Sequence, residues 1–171
     1  MAETVLDDFE KHVSPRIPSF KKGFMYGDAS GQNIIVKKGT DGDYRLAGII
    51  DFGHAISSSY VFDLGILLAY IMIENIDHEG VTPMEFVSPV LHGYVDAFPL
   101  TTEEIGSLYY ITMVRCCQSA LIGTYNFKQE PWNTYFLVTP AKCWRLLKCM
   151  LVNSSKEEVD KIWNTALNTQ T

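Results

Sequence analysis

The chain has 171 residues, of which 47% are hydrophobic and 20% are charged, and its formal net charge at pH 7 is -6. These values are ordinary for one globular domain or one large lobe. The acidic balance argues against a nucleic-acid partner, because phosphate backbones call for a basic surface, but it does not argue against a nucleotide with bound cations.

Cysteine spacing and hydropathy indicate in which compartment the protein lies and whether it spans a membrane. The four cysteines form no CxxC pair and have no histidine at zinc-ligand spacing: Cys116, Cys117, Cys143 and Cys149. They predict reduced, mostly buried thiols of a cytoplasmic protein. The acidic N-terminus is no signal peptide. The most apolar stretch, Val61 to Ile73, is too short for a bilayer, which takes about 20 residues.

The first third of the chain alternates between short elements and a loop. Glu3 to Val13 carries apolar residues at helical spacing, and Ser14-Pro15 ends the predicted helix. Gly23 to Tyr26 is short and apolar enough to be the end of a strand. Asp28 to Asn33 is small and polar, which is typical of a loop.

A β-hairpin is predicted next, followed by helices. The β-branched run Ile34 to Val36, a turn cluster at residues 39–43 and the run Tyr44 to Ile50 form the hairpin. Tyr60 to Asn75 is apolar on nearly every face and predicts a helix deep in the core. Further helix starts follow at Thr82-Pro83, Thr101, Thr139-Pro140 and Ser155, and the helix that starts at Thr101 is expected to be long and to end near Tyr125. The sequence therefore predicts an α+β, mainly helical fold.

Two polar segments flank the predicted hairpin. In the first, Asp28 is followed after four residues by Asn33, and the second is Asp51-Phe52-Gly53. This order and spacing match a kinase catalytic loop followed by a metal-binding motif. Taken alone, Asp28 would more simply be a turn or capping residue and Asn33 a turn amide. The paired motifs favour a phosphate-transfer site instead.

The residue types suit phosphoryl transfer. The reaction needs an acceptor hydroxyl aimed in line at the terminal phosphate and cations to hold the spreading negative charge. Asp28 can accept the hydroxyl proton, so it is the predicted catalytic base. Asp51 and Asn33 offer the oxygen ligands that Mg²⁺ prefers, so they are the predicted metal ligands. The hairpin should bring the three side chains together.

These motifs carry a resemblance to a known family. Together with Tyr60-Val61-Phe62-Asp63 and Cys117-Gln118-Ser119, they resemble the aminoglycoside phosphotransferase and choline kinase family, and within it the hydroxylysine kinase group. The resemblance covers nearly the whole chain. It implies that residues 1–171 form the C-terminal, catalytic and substrate-binding lobe of a protein-kinase-like fold, with the catalytic-loop hairpin present. The N-terminal lobe is expected to be absent, in a fragment or a natural short isoform.

The resemblance also implies a reaction. A nucleotide, GTP in the family or else ATP, would give its terminal phosphate to the hydroxyl of a small amino acid, 5-hydroxy-L-lysine, with Mg²⁺ as cofactor. A choline or aminoglycoside kinase would share this fold and chemistry. A third alternative comes from another class: a chain without its nucleotide lobe that binds a substrate or partner and transfers no phosphate. No nucleic-acid or membrane partner is expected.

Residues around the motifs receive supporting roles from the resemblance. Tyr26 stands where the family usually has a histidine that braces the catalytic loop, and its hydroxyl can donate a hydrogen bond instead. Asp63 is expected to accept backbone N–H groups of the catalytic loop, with a helix N-cap as the plainer interpretation. His54 is either a neutral histidine without a special role or a third metal ligand.

Substrate recognition is the least determined part of the site. Arg115, on the long helix, is the candidate partner for a substrate carboxylate, and the alternative is a surface or interhelical salt bridge. Asp77, Glu79 and Glu130 lie in or near loops and are open candidates for the substrate's ammonium groups. The aromatic residues at 132–136 are expected to belong to the core or to a lid.

Overall fold

The computed structural model describes residues 1–168, in which one helix precedes two small sheets and the other helices follow them. The elements in chain order are α1 (Ala2–His12), β1 (Lys22–Met25), β2 (Ile34–Lys38), β3 (Tyr44–Ile49), β4 (Ile56–Ser59), α2 (Tyr60–Glu74), α3 (Ser88–Ala97), α4 (Thr102–Gln129), α5 (Val138–Lys148) and α6 (Lys156–Asn168). Short 3₁₀ turns lie at Ser14–Ser19, Gly31–Asn33, Phe52–His54, Pro83–Val87 and Thr134–Leu137, and a π-helical turn at Cys149–Asn153 follows α5. The predicted mainly helical α+β class is confirmed.

The predicted hairpin is present as β2 and β3. The strands pair antiparallel, with a bulge between Ile35 and Val36. One further backbone hydrogen bond, from the Ile50 N–H to the Asn33 carbonyl at 3.0 Å, continues the pairing beyond the ladder. Asn33, which precedes β2, and Asp51, which follows Ile50, are therefore held at the same end of the hairpin.

A second sheet pairs β1 with β4, a strand that the sequence did not predict. Lys22 lies opposite Ser59 and Met25 opposite Ile56 in this antiparallel pair. A run of three serines has little intrinsic strand preference, so the pairing is a tertiary effect rather than a local one. It brings the loop that follows β1 beside the segment that precedes β4.

Helix α2 forms the centre of the core. Eight of its residues are buried: Val61, Leu64, Gly65, Ile66, Leu68, Ala69, Met72 and Ile73. It packs against α4, and a Cβ added at Gly65 would lie 2.5 Å from the Ile111 side chain of α4. The close approach of these two helices therefore requires glycine at this position.

Helix α4 is tied to the chain ahead of β1 through a buried carboxylate. Glu104 is fully buried and accepts the backbone N–H of Lys21 at 2.9 Å and that of Thr101 at 2.8 Å. The Thr101 side chain in turn accepts the Glu104 N–H, which completes a capping box at the start of the helix. The chain that leads into β1, and from there into the loop after β1, is therefore fixed to the helical core.

Two predicted helix limits differ from the structure. The helix expected after Thr82 begins as the 3₁₀ turn Pro83–Val87 and becomes α-helical only in α3. Pro89 explains the break, because it has no N–H to donate to the preceding turn. Helix α4 runs to Gln129, four residues beyond the end expected near Tyr125. Within residues 1–168, no helix is long and apolar enough to cross a membrane.

Candidate active site

The loop between β1 and β2 carries Asp28 and Asn33, and its entry is shaped by a glycine. Gly27 has φ +86°, and a Cβ added there would lie 2.4 Å from the backbone carbonyl oxygen of His54. Only glycine meets both conditions without strain. The loop therefore lies directly against the segment that contains Asp51.

Asp63 holds the start of this loop. Its carboxylate accepts the backbone N–H of Tyr26 at 2.7 Å and that of Gly27 at 2.8 Å. The two backbone hydrogen bonds expected of Asp63 are thus present. The plainer interpretation as an N-cap is wrong, because the N-cap of α2 is Ser59 and Asp63 lies within the first turn.

Tyr26 connects the loop to the Asp51 segment. Its hydroxyl donates to the Ile50 carbonyl, and its ring packs edge-on against Phe52 with the centroids 5.2 Å apart. Partial burial raises the pKa of the Tyr26 phenol, and the nearby carboxylates of Asp28 and Asp51 raise it further. The contact with Ile50 is the kind of bridge predicted for a residue that braces the two motifs.

Asp28 is fixed by the residue five positions later. The Asn33 side-chain nitrogen Nδ2 donates to the Asp28 carboxylate oxygen Oδ2 at 2.9 Å and to the Asp28 backbone carbonyl at 3.1 Å. With Nδ2 engaged in this way, the Asn33 side chain presents its oxygen, Oδ1, as its remaining polar atom. The candidate base and a candidate metal ligand are therefore positioned by one shared contact.

Asp51 has an unusual backbone conformation. With φ 56° and ψ 74°, it is the single non-glycine residue with positive φ in the described part of the chain. Its Oδ1 accepts the Gly53 N–H at 3.2 Å, so the side chain caps the short turn Phe52–His54. A strained backbone of this kind is common at functional sites, where the surrounding structure maintains it.

The three predicted site residues open into one cleft of about 520 Å³. The cleft is lined by residues of the loop, by Asp51 and by residues of the helical part of the chain: Asp28, Ser30, Gly31, Gln32, Asn33, Asp51, Tyr70, Glu74, Tyr135 and Thr139. The structure therefore brings Asp28, Asn33 and Asp51 together. The cleft is large enough for a phosphate group and a small acceptor molecule.

The chemistry of these side chains fits Mg²⁺. Two carboxylates and one amide oxygen are hard ligands, and Mg²⁺ is usually held by one or two carboxylates together with waters and substrate phosphates. Among residues 1–168 there is no cluster of three or more His, Cys, Asp or Glu that could hold a metal ion. His54 is exposed and does not line the cleft, so the structure gives no support to a third ligand there.

Arg115 lies behind Asp28 and does not line the cleft. Its Nη2 atom is 3.5 Å from Asp28 Oδ1 and donates to the Tyr70 hydroxyl at 2.9 Å, while Nη1 donates to Gln118 at 2.9 Å. Arg115 therefore forms a salt bridge, as in the alternative interpretation, but with a carboxylate of the loop rather than at the surface or between helices. The three open candidates for ammonium groups, Asp77, Glu79 and Glu130, also lie outside the cleft lining.

Two residues of the cleft wall were missed by sequence reasoning. Tyr70 and Glu74 project from the last part of α2, four residues apart and thus on one face of the helix. Polar groups at this spacing on an otherwise apolar helix were the available signal. At the rim, Tyr135 is 63% exposed and donates to Gln32 at 3.1 Å, and Trp132 is 79% exposed. Trp132 and Tyr135 therefore do not belong to the core, and of the two predicted locations only the lid remains.

The chain is similar in sequence to a known family and to named relatives. The model of the phosphotransferase enzyme family matches residues 1–98, which include the whole loop, the hairpin and Asp63. Hydroxylysine kinase of Danio rerio is 33% identical over 160 residues, which cover 93% of this chain and 43% of the relative. The hydroxylysine kinase of Xenopus laevis is also 33% identical, over 167 residues, and covers 94% of this chain and 43% of the relative. The chain thus spans 43% of the length of these curated relatives.

Proposed function

Because the chain belongs to the phosphotransferase enzyme family, we propose that it acts in transfer of the terminal phosphate of a nucleoside triphosphate to the hydroxyl of a small molecule. The observation that supports this most is the shared cleft of Asp28, Asn33 and Asp51. A loop aspartate, an asparagine and a second aspartate after a hairpin are the set of groups that phosphoryl transfer uses. We further propose a cytoplasmic setting, since all four thiols are free and no helix of the described chain spans a membrane.

In the proposed reaction, Asp28 acts on the acceptor hydroxyl. One carboxylate oxygen accepts the hydroxyl proton as the acceptor oxygen bonds to the terminal phosphorus, and the bond from that phosphorus to the nucleoside diphosphate breaks. General bases of this kind contribute roughly 10²- to 10⁴-fold to the rate. The hydrogen bonds from Asn33 support this role, because they orient the carboxylate before the acceptor arrives.

Asp51 and Asn33 are the proposed ligands of Mg²⁺. Bound there, Mg²⁺ would offset the negative charge of the phosphate oxygens. Without a cation, the carboxylates of this cleft would repel a triphosphate. The Asp51 carboxylate is additionally oriented by the Gly53 N–H, and it lines the same cleft as Asn33.

The proposed acceptor is 5-hydroxy-L-lysine. The matched relatives are named hydroxylysine kinases, and the cleft offers charges that suit an acceptor with ammonium groups. Asp28, Asp51 and Glu74 line it, and no lysine or arginine of the described chain does. The Lys142 ammonium pairs with Glu74 at 3.1 Å, and the Arg115 guanidinium lies 3.5 Å from Asp28. Choline and aminoglycosides are also cationic, so they belong in the same acceptor panel. GTP and ATP are both candidate donors.

The test is a transfer assay on the chain with Mg²⁺, labelled GTP or ATP and each acceptor in turn. We expect labelled phosphohydroxylysine from the wild-type chain, and Asp28→Asn should lower its formation at least about 100-fold with an unchanged melting temperature. Near-normal rates for Asp28→Asn would remove Asp28 as the base. Nucleotide binding by calorimetry without any transfer would favour the alternative of a binding protein.

A second arm addresses the length of the relatives. The 160 matched residues of the Danio rerio enzyme are replaced by the matching residues of this chain, so that the remaining length is supplied by an established relative. We expect hydroxylysine phosphorylation by the chimera and its loss with Asp28→Asn. A folded, nucleotide-binding chimera that transfers nothing would contradict a catalytic role for this cleft.

A further inference from the structure

We propose that Arg115 is a positioning residue that orients the Asp28 carboxylate for proton transfer. The inference rests on the proposed function, in which Asp28 is the base. Arg115 Nη2 lies 3.5 Å from Asp28 Oδ1, and the two side chains are 20% and 21% exposed, respectively. Partial burial of both partners weakens solvent screening, so this ion pair acts more strongly than a surface pair would.

The two oxygens of the Asp28 carboxylate have different partners. Asn33 Nδ2 donates to Oδ2 at 2.9 Å, and the Arg115 guanidinium faces Oδ1. A single donor leaves a carboxylate free to turn about its Cβ–Cγ bond. Two donors on different oxygens define the plane of the group, and with it the direction of the lone pairs that accept a proton.

Arg115 is itself held in place from helix α2. Nη2 donates to the Tyr70 hydroxyl at 2.9 Å, and the guanidinium lies over the Tyr70 ring at 5.3 Å from its centroid. On the other side, Nη1 donates to Gln118 at 2.9 Å, one turn further along α4. The orientation of Asp28 is thereby linked to the packing of α2 against α4.

The position of Arg115 argues for positioning rather than for stability or substrate contact. Its Nε atom is buried and has no hydrogen-bond partner among the described residues, an arrangement that destabilises the fold. The side chain does not line the cleft, whereas Asp28 and Tyr70 do. Arg115 can therefore direct the base from behind without touching the acceptor.

The first test needs no catalysis. The NMR signals of the Asn33 side-chain amide report its hydrogen bond to Asp28, and Asn33→Asp identifies them by their loss. In Arg115→Met we expect these signals to shift, in Arg115→Lys to shift less, and in the matched control Arg16→Met to stay in place. Arg16 is an arginine that pairs with Glu103 away from the cleft. Unchanged Asn33 signals in a folded Arg115→Met protein would overturn the proposal.

The second test separates positioning from substrate binding by kinetics. Two acceptors are compared, 5-hydroxy-L-lysine and the diamino alcohol that lacks its α-carboxylate. We expect Arg115→Met to lower kcat roughly 10- to 100-fold for both acceptors with little change in KM, and Arg115→Lys to recover part of the loss. A raised KM for hydroxylysine alone would assign Arg115 to the substrate carboxylate and overturn the proposal.

The two tests distinguish a failure of the proposed function from a failure of the positioning role of Arg115. A wild-type chain that transfers no phosphate, alone or in the chimera, contradicts the proposed function and leaves the NMR result to decide whether Arg115 orients Asp28. If transfer is observed and the Arg115→Met kcat stays at the wild-type value, the proposed function survives and the positioning role does not.

Discussion

The side chain of Asn33 donates two hydrogen bonds to Asp28, at 2.9 Å to the carboxylate and at 3.1 Å to the backbone carbonyl. The two hydrogen bonds join the first and last residues of the loop from Asp28 to Asn33, so the candidate base and the candidate metal ligand share one local structure. A displacement of either residue is expected to move the other.

Replacing Asn33 with leucine, which has a similar shape, tests this coupling. The change removes the donor and leaves the half-buried Asp28 carboxylate without it, so the free energy of unfolding should fall by about 1–3 kcal/mol. Urea unfolding measures this difference. The control is Asn153→Leu at an exposed position, which should change the free energy by less than about 0.5 kcal/mol. Equal losses in the two variants would show that the contact with Asp28 contributes nothing.

Asp63 is predicted to be the main anchor of the loop. Asp63→Ala removes two hydrogen bonds between backbone N–H groups and a carboxylate, so we expect a loss of about 3 kcal/mol in the free energy of unfolding. Amide hydrogen exchange should accelerate at Tyr26 and Gly27. Asp7→Ala, at an exposed position of α1, serves as the control. Unaltered exchange at both amides would mean that the loop is held by other contacts.

A pair of glycines separates strain from contact. Gly27 and Gly42 have similar positive φ values, +86° and +90°, but a Cβ at Gly27 would lie 2.4 Å from the His54 carbonyl oxygen, whereas one at Gly42 would have nothing within 4 Å. Gly42→Ala should therefore lower the free energy of unfolding by about 1–2 kcal/mol, the left-handed penalty alone. Gly27→Ala should lower the free energy of unfolding further, and the phosphate-transfer activity of this variant should also fall. If thermal unfolding shows equal losses of stability in the two variants, the close approach of Gly27 to the His54 carbonyl is contradicted.

Tyr26 is predicted to act through its hydroxyl. Tyr26→Phe keeps the ring against Phe52 and removes the hydrogen bond to the Ile50 carbonyl, so the segment that carries Asp51 should become less ordered. Calorimetry should then find weaker binding of magnesium and nucleotide than in the wild type. Tyr26→His introduces a ring that can also donate and should retain more of the affinity. Identical affinities in the wild type and Tyr26→Phe would exclude the bracing role.

Local patterns account for much of the fold. The hairpin could be predicted because β-branched runs enclose a Gly- and Asp-rich turn, and α2 because an apolar run of its length fits only a buried helix. Strand β4 could not, since Ile56 to Ser59 has no strand pattern and forms only because β1 lies beside it. The break between Pro83–Val87 and α3 depends on Pro89, which is a local signal in the sequence because proline lacks the N–H that a continuous helix needs.

The candidate site divides in the same way. Asp28, Asn33 and Asp51 could be predicted because their chemistry is tied to a short spacing along the chain. The cleft wall could not, because Tyr70 and Glu74 reach it only through the packing of α2. Arg115 was placed on the correct helix, but its contact with Asp28 joins positions 87 residues apart, and nothing local in the sequence indicates that separation.

We propose that Asp51 and Asn33 hold a divalent cation beside Asp28. Paramagnetic broadening of the NMR signals by Mn²⁺ with GTP or ATP tests it directly, since broadening falls off steeply with distance from the ion. We predict that the signals of Asn33 and Gly53 broaden first in the wild type, and that Asp51→Asn removes this effect while the rest of the spectrum is preserved. Broadening that is centred elsewhere, or that persists in Asp51→Asn, would contradict the account.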